Sequence, residues 1–579
     1  MSILKIAKDI LLAGAFWFCV VSGLHAEQDM RSPFVAAAWD KAALTAAIEA
    51  ERPAFDPPKG VTGLTVPHHL LAADLVARGF WAASDNEYER IILISPDHFR
   101  KVQGHFSVAR ADLETVFGSI PTDGAVVDTL LAQPALFEPA TDIQSEHGIL
   151  SVAPFIRHFF PDTPTITIVA SIDAMRDAWE QGVAALEPFV TDNTLIIQST
   201  DYSHYLLLPD AIRRDQETLA TIAAMDGANI SRMLQPAHMD SRAAQYLQLV
   251  LQKNRFGAMP VIIANRNSAE YGSGIGSTTS YVVSVFLRDP AAGSVLRYED
   301  HQLTFLAGDT LLGRYFQPIL QNRQTTESIA DTVLGVTRGA PLVINLEGVL
   351  LDEPVVGLGS GSHAMLTETA MPLLKRLNVI AAGLANNHSH DLGALGFAES
   401  VRILSEHGLM PLKHGEIGDL GGFRILPLGF HRGRGMGQRV VGSAEDLKAV
   451  CAQAAEPPLV AFVHWGTEYT DTATDAEREA ALALNRCGVT LVAGAHSHQA
   501  TRNIESLAGG AVQLVFSLGN FAFDQRSDRA TGALLELRVF KQGTIAARLV
   551  SIPNLFEVGG EQRNQKALVP KPARLPQLI

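Results

Sequence analysis

Apolar runs rich in valine, isoleucine and leucine alternate with segments of helical spacing along most of the chain. The runs include "YERIILISPDHF" and "TPTITIVAS" in the first half, and "PLVINLEG" and "VTLVAGAHSH" in the second. Such runs are typical of strands that are buried on both faces of a sheet. Segments such as "LLAADLVARGFWAAS" have the spacing of helices that would cover those faces. The pattern predicts α/β domains.

A polar stretch near the middle of the chain predicts a domain boundary. The stretch "LRDPAAGSVLRYEDHQ" contains proline and glycine and separates two complete series of alternating elements. Because 579 residues are too many for one ordinary core, we expect two α/β domains. We place the first domain at 50–287, a connector at 288–301, the second domain at 302–555 and an extended, proline-rich tail at 556–579.

The N-terminus has the order of a secretory signal. "MSILKIAKD" carries two lysines, an apolar run of 15 residues follows, and "LHAEQ" supplies a small residue for cleavage. We predict a signal peptide at 1–26 and an exported protein that is periplasmic or extracellular. The run is shorter than the ~20 apolar residues of a membrane span. The alternative is an uncleaved segment that anchors the protein in a membrane.

Composition narrows the classes of partner. Hydrophobic residues are 47% and charged residues 18% of the chain, which is typical of globular domains and argues against extensive disorder. The net charge of −15 does not favour nucleic acid, because phosphate binding needs clustered lysine and arginine. Signal removal would leave Cys451 and Cys487. Export would permit one bridge between them, but both follow helix-like segments, and we expect buried free thiols.

Five apolar runs of the second half end in residue types that bind metals. Because the carboxyl ends of strands line the ligand crevice of an open α/β sheet, such residues converge even when they are remote in sequence. The mixture of carboxylate, amide and imidazole groups suits Mn, Zn or Fe. Two such ions sharing a carboxylate would hold the attacking and leaving oxygens of a phosphoryl transfer. The residues are Asp309, Glu347, Asn387, His464, His496 and His498.

The motifs of this half resemble those of the CapA family. "GDTLLGR", "NLEG", "GLANNHSHDLG", "HWGTEY", "GAHSHQ" and "SLGNFAFD" occur in the order of that family, which is linked to capsule and poly-γ-glutamate synthesis. The family is similar in fold to the calcineurin-like metallophosphatases, so the resemblance implies a four-layer α/β sandwich. It also implies that Asp309 and His498 bind one ion, that Asn387, His464 and His496 bind a second, and that Glu347 bridges the two.

One departure from the metallophosphatase pattern weakens the first ion site. That pattern usually begins with Asp-x-His, whereas Thr310 and Leu311 follow Asp309 here. The site has therefore lost a histidine, and either it binds its ion weakly or the domain holds a single tight ion. His496 and His498 are separated by one residue, so on a strand or an extended turn they would point the same way.

Residues near the implied ions have narrower roles. The resemblance implies that His388 acts as an acid or stabilises the leaving group without binding metal. We expect Asp391 to pair with His388 or to cap the next helix. Arg314 would bind an anionic substrate or form a surface salt bridge, whereas Glu468 and Tyr469 would orient substrate or pack. The histidines without an expected role in a site are His363, His407, His414 and His431.

Polar residues also follow apolar runs in the first half. "PHH", "SPDHF", "EHGI", "STDYSHY" and the closing "GSTTSYVVSVF" resemble the Memo family, AmmeMemoRadiSam system protein B, whose fold is similar to that of class III extradiol dioxygenases. The resemblance implies that His68 and His98 bind metal. The third ligand position, a cysteine in some members, falls on Asp240. Two histidines and one carboxylate form a known arrangement for non-haem iron.

The other polar residues of this half have supporting roles in that interpretation. Asp201, His204 and His147 would hold the ligands in place or transfer protons. The alternative is a folded domain that has lost its chemistry.

Three functional hypotheses follow. The leading one is an exported two-domain protein whose CapA-type domain hydrolyses a phosphoester, or an amide of a cell-envelope polymer, with water that a metal activates. The second is a non-catalytic factor for the assembly or export of such a polymer. The third is redox chemistry of non-haem iron in the Memo-like half. The expected partner is an envelope polymer or a small phosphoester, not nucleic acid.

Overall fold

Two α/β units follow one another in the chain, which confirms the predicted fold class. The computed structural model describes residues 37–141, 143–273, 276–355, 362–431, 439–452, 458–526 and 531–560. The signal peptide predicted at 1–26 lies outside the described residues, as does most of the predicted tail. Among the helices that are described, none has the length and apolar character that crossing a membrane requires.

The first unit is built on one mixed sheet. Its strands are β1 (Val61–Val66), β2 (Arg90–Pro96), β3 (Phe106–Val108), β4 (Leu113–Thr115), β5 (Gly118–Ile120), β6 (Phe137–Pro139), β7 (Thr165–Ala170), β8 (Thr194–Ser199), β9 (His204–Leu206), β10 (Met259–Asn267) and β11 (Thr278–Leu287). Strands β4 and β5 form a separate hairpin. The order in the sheet is β10–β11–β1–β8–β2–β7–β3–β6, with β9 beside β11. Strands β1, β8, β2 and β7 are parallel.

Both faces of the first sheet are covered, which explains the continuous apolar runs. In β2, Ile92 and Ile94 contribute to one core, whereas Ile91 and Leu93 contribute to the core on the opposite face. The covering helices are α1 (Lys41–Ala50), α2 (Ala73–Ala83), α3 (Gly124–Leu131), α4 (His147–Leu150), α5 (Ala153–Phe159), α6 (Arg176–Leu186), α7 (Leu208–Ala223), α8 (Gly227–Ile230) and α9 (Arg242–Leu251).

The second unit contains two larger sheets. Its strands are β12 (His301–Thr310), β13 (Leu342–Leu346), β14 (Val349–Leu351), β15 (Ala364–Leu366), β16 (Val379–Gly383), β17 (Met410–Leu412), β18 (Gly418–Asp419), β19 (Arg424–Gly429), β20 (Leu459–His464), β21 (Val489–Ala495), β22 (Glu505–Leu507), β23 (Val512–Val515), β24 (Asn520–Ala522), β25 (Gly532–Phe540) and β26 (Ile545–Ile552). One sheet has the order β17–β16–β13–β12–β25–β26, with β24 beside β12. The other has the order β18–β19–β20–β21–β23–β22.

The two sheets face each other, and helices cover their outer faces. Leu306 and Val343 of one sheet share a core with Phe462 and Leu491 of the other. The helices of this unit are α10 (Gln317–Leu320), α11 (Arg323–Thr337), α12 (Thr367–Arg376), α13 (Gly393–Glu406), α14 (Ala444–Cys451) and α15 (Asp475–Asn485). Helices α10 to α13 pack on the first sheet, and α14 and α15 pack on the second. The expected four layers are therefore present.

The predicted connector, 288–301, packs against the second unit. Its Ser294 donates a hydrogen bond of 2.9 Å to the carboxylate of Glu536 on β25. The same carboxylate pairs with Arg538, at 2.9 Å, and with Arg548. Burial would raise the pKa of Glu536, but the two arginines lower it to about 2. The connector is thus anchored by a buried ionic cluster.

A second contact between the units uses helix α7. The side-chain amide of Gln216 donates to the carbonyl of Ile545, at 3.0 Å, and accepts from its N–H, at 2.8 Å. Asp215, one residue earlier, accepts a hydrogen bond of 3.2 Å from Gln542, which precedes β26. Helix α7 therefore lies along the outer edge of β26.

Two expectations about the second unit are wrong. Cys451 and Cys487 form a disulfide with Cα atoms 5.0 Å apart, because α14 and α15 pack side by side on one face of the second sheet. Residues 555–560 are helical rather than extended. Leu555 and Phe556 are buried in that turn, and the ring of Phe556 lies 5.8 Å from that of Phe316.

Candidate functional site

Strands from both sheets of the second unit end at a common edge. Asp309 lies near the end of β12, Glu347 follows β13 and Asn387 follows β16. His464 ends β20, and His496 follows β21 in the other sheet. Parallel strands in both sheets therefore carry residues remote in sequence to one place, as the strand-end pattern predicts.

The ligand atoms at this edge form two groups that share Glu347. One group contains Asp309, Glu347 and His498, and the other contains Glu347, His464 and His496. Within each group the atoms lie within 4.8 Å of one another, and all five residues are buried. The structure thus brings the predicted ligands together in the two predicted sets, while metal binding itself stays a prediction.

Asn387 joins the second group through its side-chain oxygen. Its Oδ1 lies 2.7 Å from Nε2 of His464. This is the distance of a hydrogen bond. The contact places the amide oxygen of Asn387 beside the second group, where the sequence predicts it.

Unpartnered buried atoms test whether a cation fits here. Glu347 Oε2 and His496 Nδ1 are buried and have no hydrogen-bond partner among the described residues. Leaving such an atom unsatisfied costs ~1–3 kcal/mol. Both atoms can donate a lone pair to a cation, so the residues present fit a divalent ion.

The electrostatics of the edge also favour a cation. Burial and the carboxylate of Asp309 raise the pKa of Glu347 well above its usual range. Burial and then His496 lower the pKa of His464 well below its usual range, and burial lowers that of His496 to about 4. Both imidazoles are therefore neutral near pH 7, which is the form that binds metals.

The pKa of His498 is raised, whereas those of His464 and His496 are lowered. Burial lowers its pKa, but the hydrogen bond to Asp309 and the charge of Glu347 raise it to about 9. Burial would likewise raise the pKa of Asp309, yet His498 and its neighbours hold that pKa at about 2. The buried carboxylates thus attract positive charge.

The backbone of the two histidines after β21 is unusual. His496 and His498 have φ angles of 97° and 59°, which non-glycine residues seldom adopt. This turn lets the N–H of His496 face both carboxylate oxygens of Asp309 at 3.1 Å. The turn is therefore not extended, so the condition for the expectation that both rings point the same way is not met. The two rings belong to different ligand groups that share Glu347. Such strain is typical of functional sites.

Asn345 holds the ligands in place and was not singled out from the sequence. Its buried Nδ2 lies 2.8 Å from Oδ1 of Asp309 and 3.1 Å from Nδ1 of His464. Asn386 in turn donates to the side-chain oxygen of Asn345 at 3.2 Å. The feature of the sequence that indicates a role for Asn345 is its place as a polar residue inside the apolar strand "LVINL", two positions before Glu347.

His388 lies beside the two groups. Its Nδ1 is 2.9 Å from Oδ2 of Asp391, and its Nε2 is 3.8 Å from Oε1 of Glu347. The ring is therefore held by Asp391 on one side and faces the candidate metal centre on the other. This position suits the predicted role of an acid that binds no metal.

Arg314 is engaged by a carboxylate of the protein. Its Nε lies 3.1 Å from Asp524, and its Nη2 also contacts that carboxylate. Of the two alternatives for Arg314, the geometry favours the salt bridge over the capture of an anionic substrate. Glu468 and Tyr469 are exposed, and the ring of Tyr469 lies 6.0 Å from that of His498.

Two histidines that we expected to have no site role lie against the centre. The ring of His431 is 4.3 Å from that of His496, and its Nε2 lies 2.8 Å from the carbonyl of Gly466. The ring of His363 stacks on that of His388, with centres 3.6 Å apart. His431 lies two residues after the apolar strand β19, so the strand-end signal was present but was not used. His363 precedes β15, and no strand-end signal marks it.

A separate cluster lies in the first unit, at the edge of its sheet where the parallel strands end. His68 follows β1 and His98 follows β2, and their ligand atoms lie within 4.8 Å of each other and of Asp240. The distance from Asp240 Oδ2 is 3.2 Å to His68 Nε2 and 3.6 Å to His98 Nε2. The three predicted ligands of the Memo-like half therefore converge.

Two carboxylates position these ligands. Asp201 accepts a hydrogen bond of 3.0 Å from the backbone N–H of His68, and its own N–H donates to Asp240 at 3.0 Å. Glu146 contacts Nδ1 of His98 and accepts from its backbone N–H at 3.1 Å. Asp201 therefore has the supporting position that was predicted for it, and Glu146 has a similar one.

The remaining predicted residues of this cluster lie farther out. The ring of His147 is 5.6 Å from that of His98. His204 begins β9, and its backbone N–H donates to the carbonyl of Pro236 at 3.1 Å. Neither belongs to the group formed by His68, His98 and Asp240, so proton transfer by them stays a prediction.

The cluster of His68, His98 and Asp240 also fits a cation. Oδ1 of Asp240 is buried and has no hydrogen-bond partner in the described stretches. Burial would raise the pKa of Asp240, but His68 and His98 hold it below its usual range. Burial would lower the pKa of His98, yet Asp240 and Glu146 raise it to about 10.

Comparison with known proteins supports both halves. The family of Memo-like proteins matches residues 31–283, and the bacterial capsule synthesis protein family PGA_cap matches 304–415 and 434–525. The "PGA biosynthesis protein CapA" of Bacillus subtilis (strain 168) is 26% identical in an alignment of 274 residues, and the match covers 43% of this chain and 71% of that protein. A MEMO1 family protein of Methanopyrus kandleri is 21% identical in an alignment of 188 residues, and the match covers 31% of this chain and 66% of that protein.

Among solved structures, a "novel phosphatase" of Mycoplasma pneumoniae is 12% identical and covers 44% of this chain and 95% of its own. Its TM-score is 0.26, which is too low to bear on fold or function. The two family matches confirm both resemblances. The chain therefore joins an N-terminal Memo-like domain to a C-terminal domain of the bacterial capsule synthesis protein family, PGA_cap.

Proposed function

We propose that the C-terminal domain is a metal-dependent hydrolase with two neighbouring ions. The observation that carries the proposal is the sharing of Glu347 by two groups of buried ligand atoms. A shared carboxylate between two ions is the arrangement that holds the attacking and leaving oxygens of one reaction. The loss of the Asp-x-His histidine leaves the first group with fewer ligands, so we expect its ion to bind more weakly.

The residues around the ions have distinct tasks. When bound, the ions supply Lewis acidity and activate water. Asn345 donates a hydrogen bond to the carboxylate of Asp309 and also contacts Nδ1 of His464, so it fixes the orientation of that ring. His388, held by Asp391, directs Nε2 toward the centre and can transfer a proton at that atom to the leaving group.

The substrate class that we propose is a phosphoester or an amide of a cell-envelope polymer. The name of the Bacillus subtilis relative, a PGA biosynthesis protein, supports a polymer as the substrate. The charged groups beside the centre support a substrate of low negative charge, because Asp524 neutralises Arg314 and the exposed Glu468 adds a carboxylate. A phosphomonoester with two negative charges would meet more repulsion here than a phosphodiester with one, and an uncharged amide would meet none.

Metal content and turnover of the purified protein test this proposal. We expect two ions at the C-terminal centre, in addition to any ion held by the Memo-like half, and hydrolysis of bis(p-nitrophenyl) phosphate or of a γ-glutamyl amide. His464→Ala and His496→Ala should each lose one ion and most of the turnover. His407→Ala, at the end of α13, is the matched control and should keep both. Full metal content without turnover on either substrate would instead support a role in polymer assembly.

A second candidate function belongs to the Memo-like half. The convergence of His68, His98 and Asp240 supports non-haem iron, because two histidines and one carboxylate leave open positions on that ion. Iron-dependent oxygen consumption that His98→Ala abolishes would support redox chemistry. Iron binding without oxygen consumption would leave a structural metal.

Export is a further part of the proposal. The disulfide between Cys451 and Cys487 supports an oxidising compartment, since cytosolic proteins keep their thiols reduced. We expect the protein in the periplasm or outside the cell, with residues 1–26 removed or acting as an anchor. Fractionation with N-terminal sequencing distinguishes these outcomes, and an intact chain in the cytosol would count against export.

A further inference from the structure

His363, His388 and Asp391 form a cluster beside the candidate metal centre, and the proposed function does not use His363. The rings of His363 and His388 are stacked, with centres 3.6 Å apart and an angle of 23° between their planes. Oδ2 of Asp391 lies 2.9 Å from Nδ1 of His388 and 3.5 Å from Nδ1 of His363. One carboxylate oxygen therefore faces both imidazoles.

His363 is fixed from its other side by Arg314. Nη1 of Arg314 lies 3.3 Å from Nε2 of His363, and a guanidinium can only donate. Nε2 of His363 is therefore the acceptor, and its proton lies on Nδ1, toward Asp391. Arg314 is itself fixed by Asp524, whose side chain is 1% exposed.

The stacking argues against a third metal ion at this cluster. A histidine binds an ion in the plane of its ring at ~2.0–2.1 Å. The rings of His363 and His388 are nearly parallel and 3.6 Å apart, so one ion cannot lie in both planes at that distance. The arrangement suits packing of one ring against the other instead.

We propose that His363 is a positioning residue for His388. It covers one face of the His388 ring, and its Nδ1 lies 3.5 Å from the Asp391 oxygen that His388 contacts at 2.9 Å. The ring of His388 is then held with Nδ1 toward Asp391 and Nε2 toward Glu347, at 3.8 Å. The proposal rests on the proposed function and deepens it, since an oriented proton donor raises the rate of the same reaction.

A double-mutant cycle on the full-length, metal-loaded protein tests this role. His363→Ala should lower kcat by between about tenfold and a hundredfold and leave KM little changed. His363→Phe keeps a stacking ring and should lower kcat less. Introduced into His388→Ala, His363→Ala should have no further effect, because it acts through the missing ring. An equal loss in both backgrounds would overturn the proposal.

Chemical labelling tests the geometry without any substrate. Diethyl pyrocarbonate modifies imidazoles, and mass spectrometry separates the product at His388 from that at His390. We expect faster labelling of His388 in His363→Ala, and the wild-type rate in His363→Phe and in the control His407→Ala. An unchanged rate in His363→Ala would overturn the proposal.

These readouts separate the failure of the two proposals. Absence of turnover in the wild type, combined with faster labelling of His388 in His363→Ala, would count against the hydrolase and support the positioning role. Loss of one ion in His363→Ala would show that His363 is a ligand and would overturn the positioning role. Unchanged metal content supports it.

Discussion

Replacing Glu347 by glutamine should affect both candidate ion sites at once, because its carboxylate belongs to both ligand groups. His464 belongs to one group only. An ion that binds only the folded state stabilises it by RT ln(1 + [M]/Kd), which is about 4 kcal/mol at a thousandfold excess over Kd. At that excess over the Kd of the tighter ion, His464→Ala should lose about 4 kcal/mol, and Glu347→Gln should lose that amount plus the smaller contribution of the weaker ion.

The sign of the Glu347→Gln effect should reverse when metal is removed. Burial and Asp309 raise the pKa of Glu347, so the metal-free folded state binds this proton more tightly than the unfolded state does. At pH 7, above the unfolded pKa, this carboxyl therefore lowers the stability of the metal-free protein. Glutamine removes that cost, and Glu347→Gln should be neutral or stabilising in the presence of a chelator.

Thermal unfolding of both variants, with metal and with a chelator, measures these effects. For a domain of this size, 1 kcal/mol corresponds to about 2–4 °C in Tm, so the loss of one ion should lower Tm by about 8–16 °C. Equal losses for Glu347→Gln and His464→Ala would refute the shared carboxylate. A large destabilisation by Glu347→Gln in chelator would refute the reasoning from burial.

Three further changes test the fold that supports the site. Gly308→Ala should lower Tm and metal content, because a Cβ there would lie 2.0 Å from the carbonyl oxygen of Gly519. In the control Gly335→Ala, on α11, the new Cβ would have no heavy atom within 4 Å, so this variant should be more stable than wild type by up to ~1 kcal/mol. Equal Tm values for the two variants would contradict the close packing at Gly308. The pKa of Glu536 is lowered from 4.5 to about 2, so its contribution of about 3 kcal/mol is present above pH 4.5 and is lost as pH falls toward 2. Glu536→Gln should therefore differ most from wild type in urea unfolding at pH 6 and least near pH 2, and a constant difference would contradict this. Cys451→Ser opens a loop of 36 residues and should cost about 4 kcal/mol in non-reducing denaturant, and a reductant that left the wild type unchanged would count against the bridge.

The elements that could be predicted are those whose signal is local. The runs that became β2, β7, β13 and β21 are buried on both faces, so their apolar character is continuous and their ends are clear. Ligand residues at those ends follow from the parallel topology, because the carboxyl ends of neighbouring strands meet. This is why Asp309 and His464 could be placed together although 155 residues separate them in the chain.

The features that could not be predicted depend on contacts between loops. Arg314 finds Asp524, 210 residues later, and the pair fixes His363. No periodicity marks these partners, since each lies outside the regular apolar pattern. The left-handed turn at His496 was also hidden, because histidine gives no indication of a positive φ. The positions that support the ligands are thus harder to read than the ligands.

The contact of Gln216 with Ile545 has a consequence for the second unit when it is produced without the first. Strand β26 is the last in its sheet, and an open strand edge invites pairing with another chain. The amide of Gln216 occupies the N–H and the carbonyl that a neighbouring strand would use. A second unit produced alone would expose that edge and should self-associate. We therefore expect the Memo-like half to limit pairing of its companion with other chains at this end of β26, whatever chemistry either half performs.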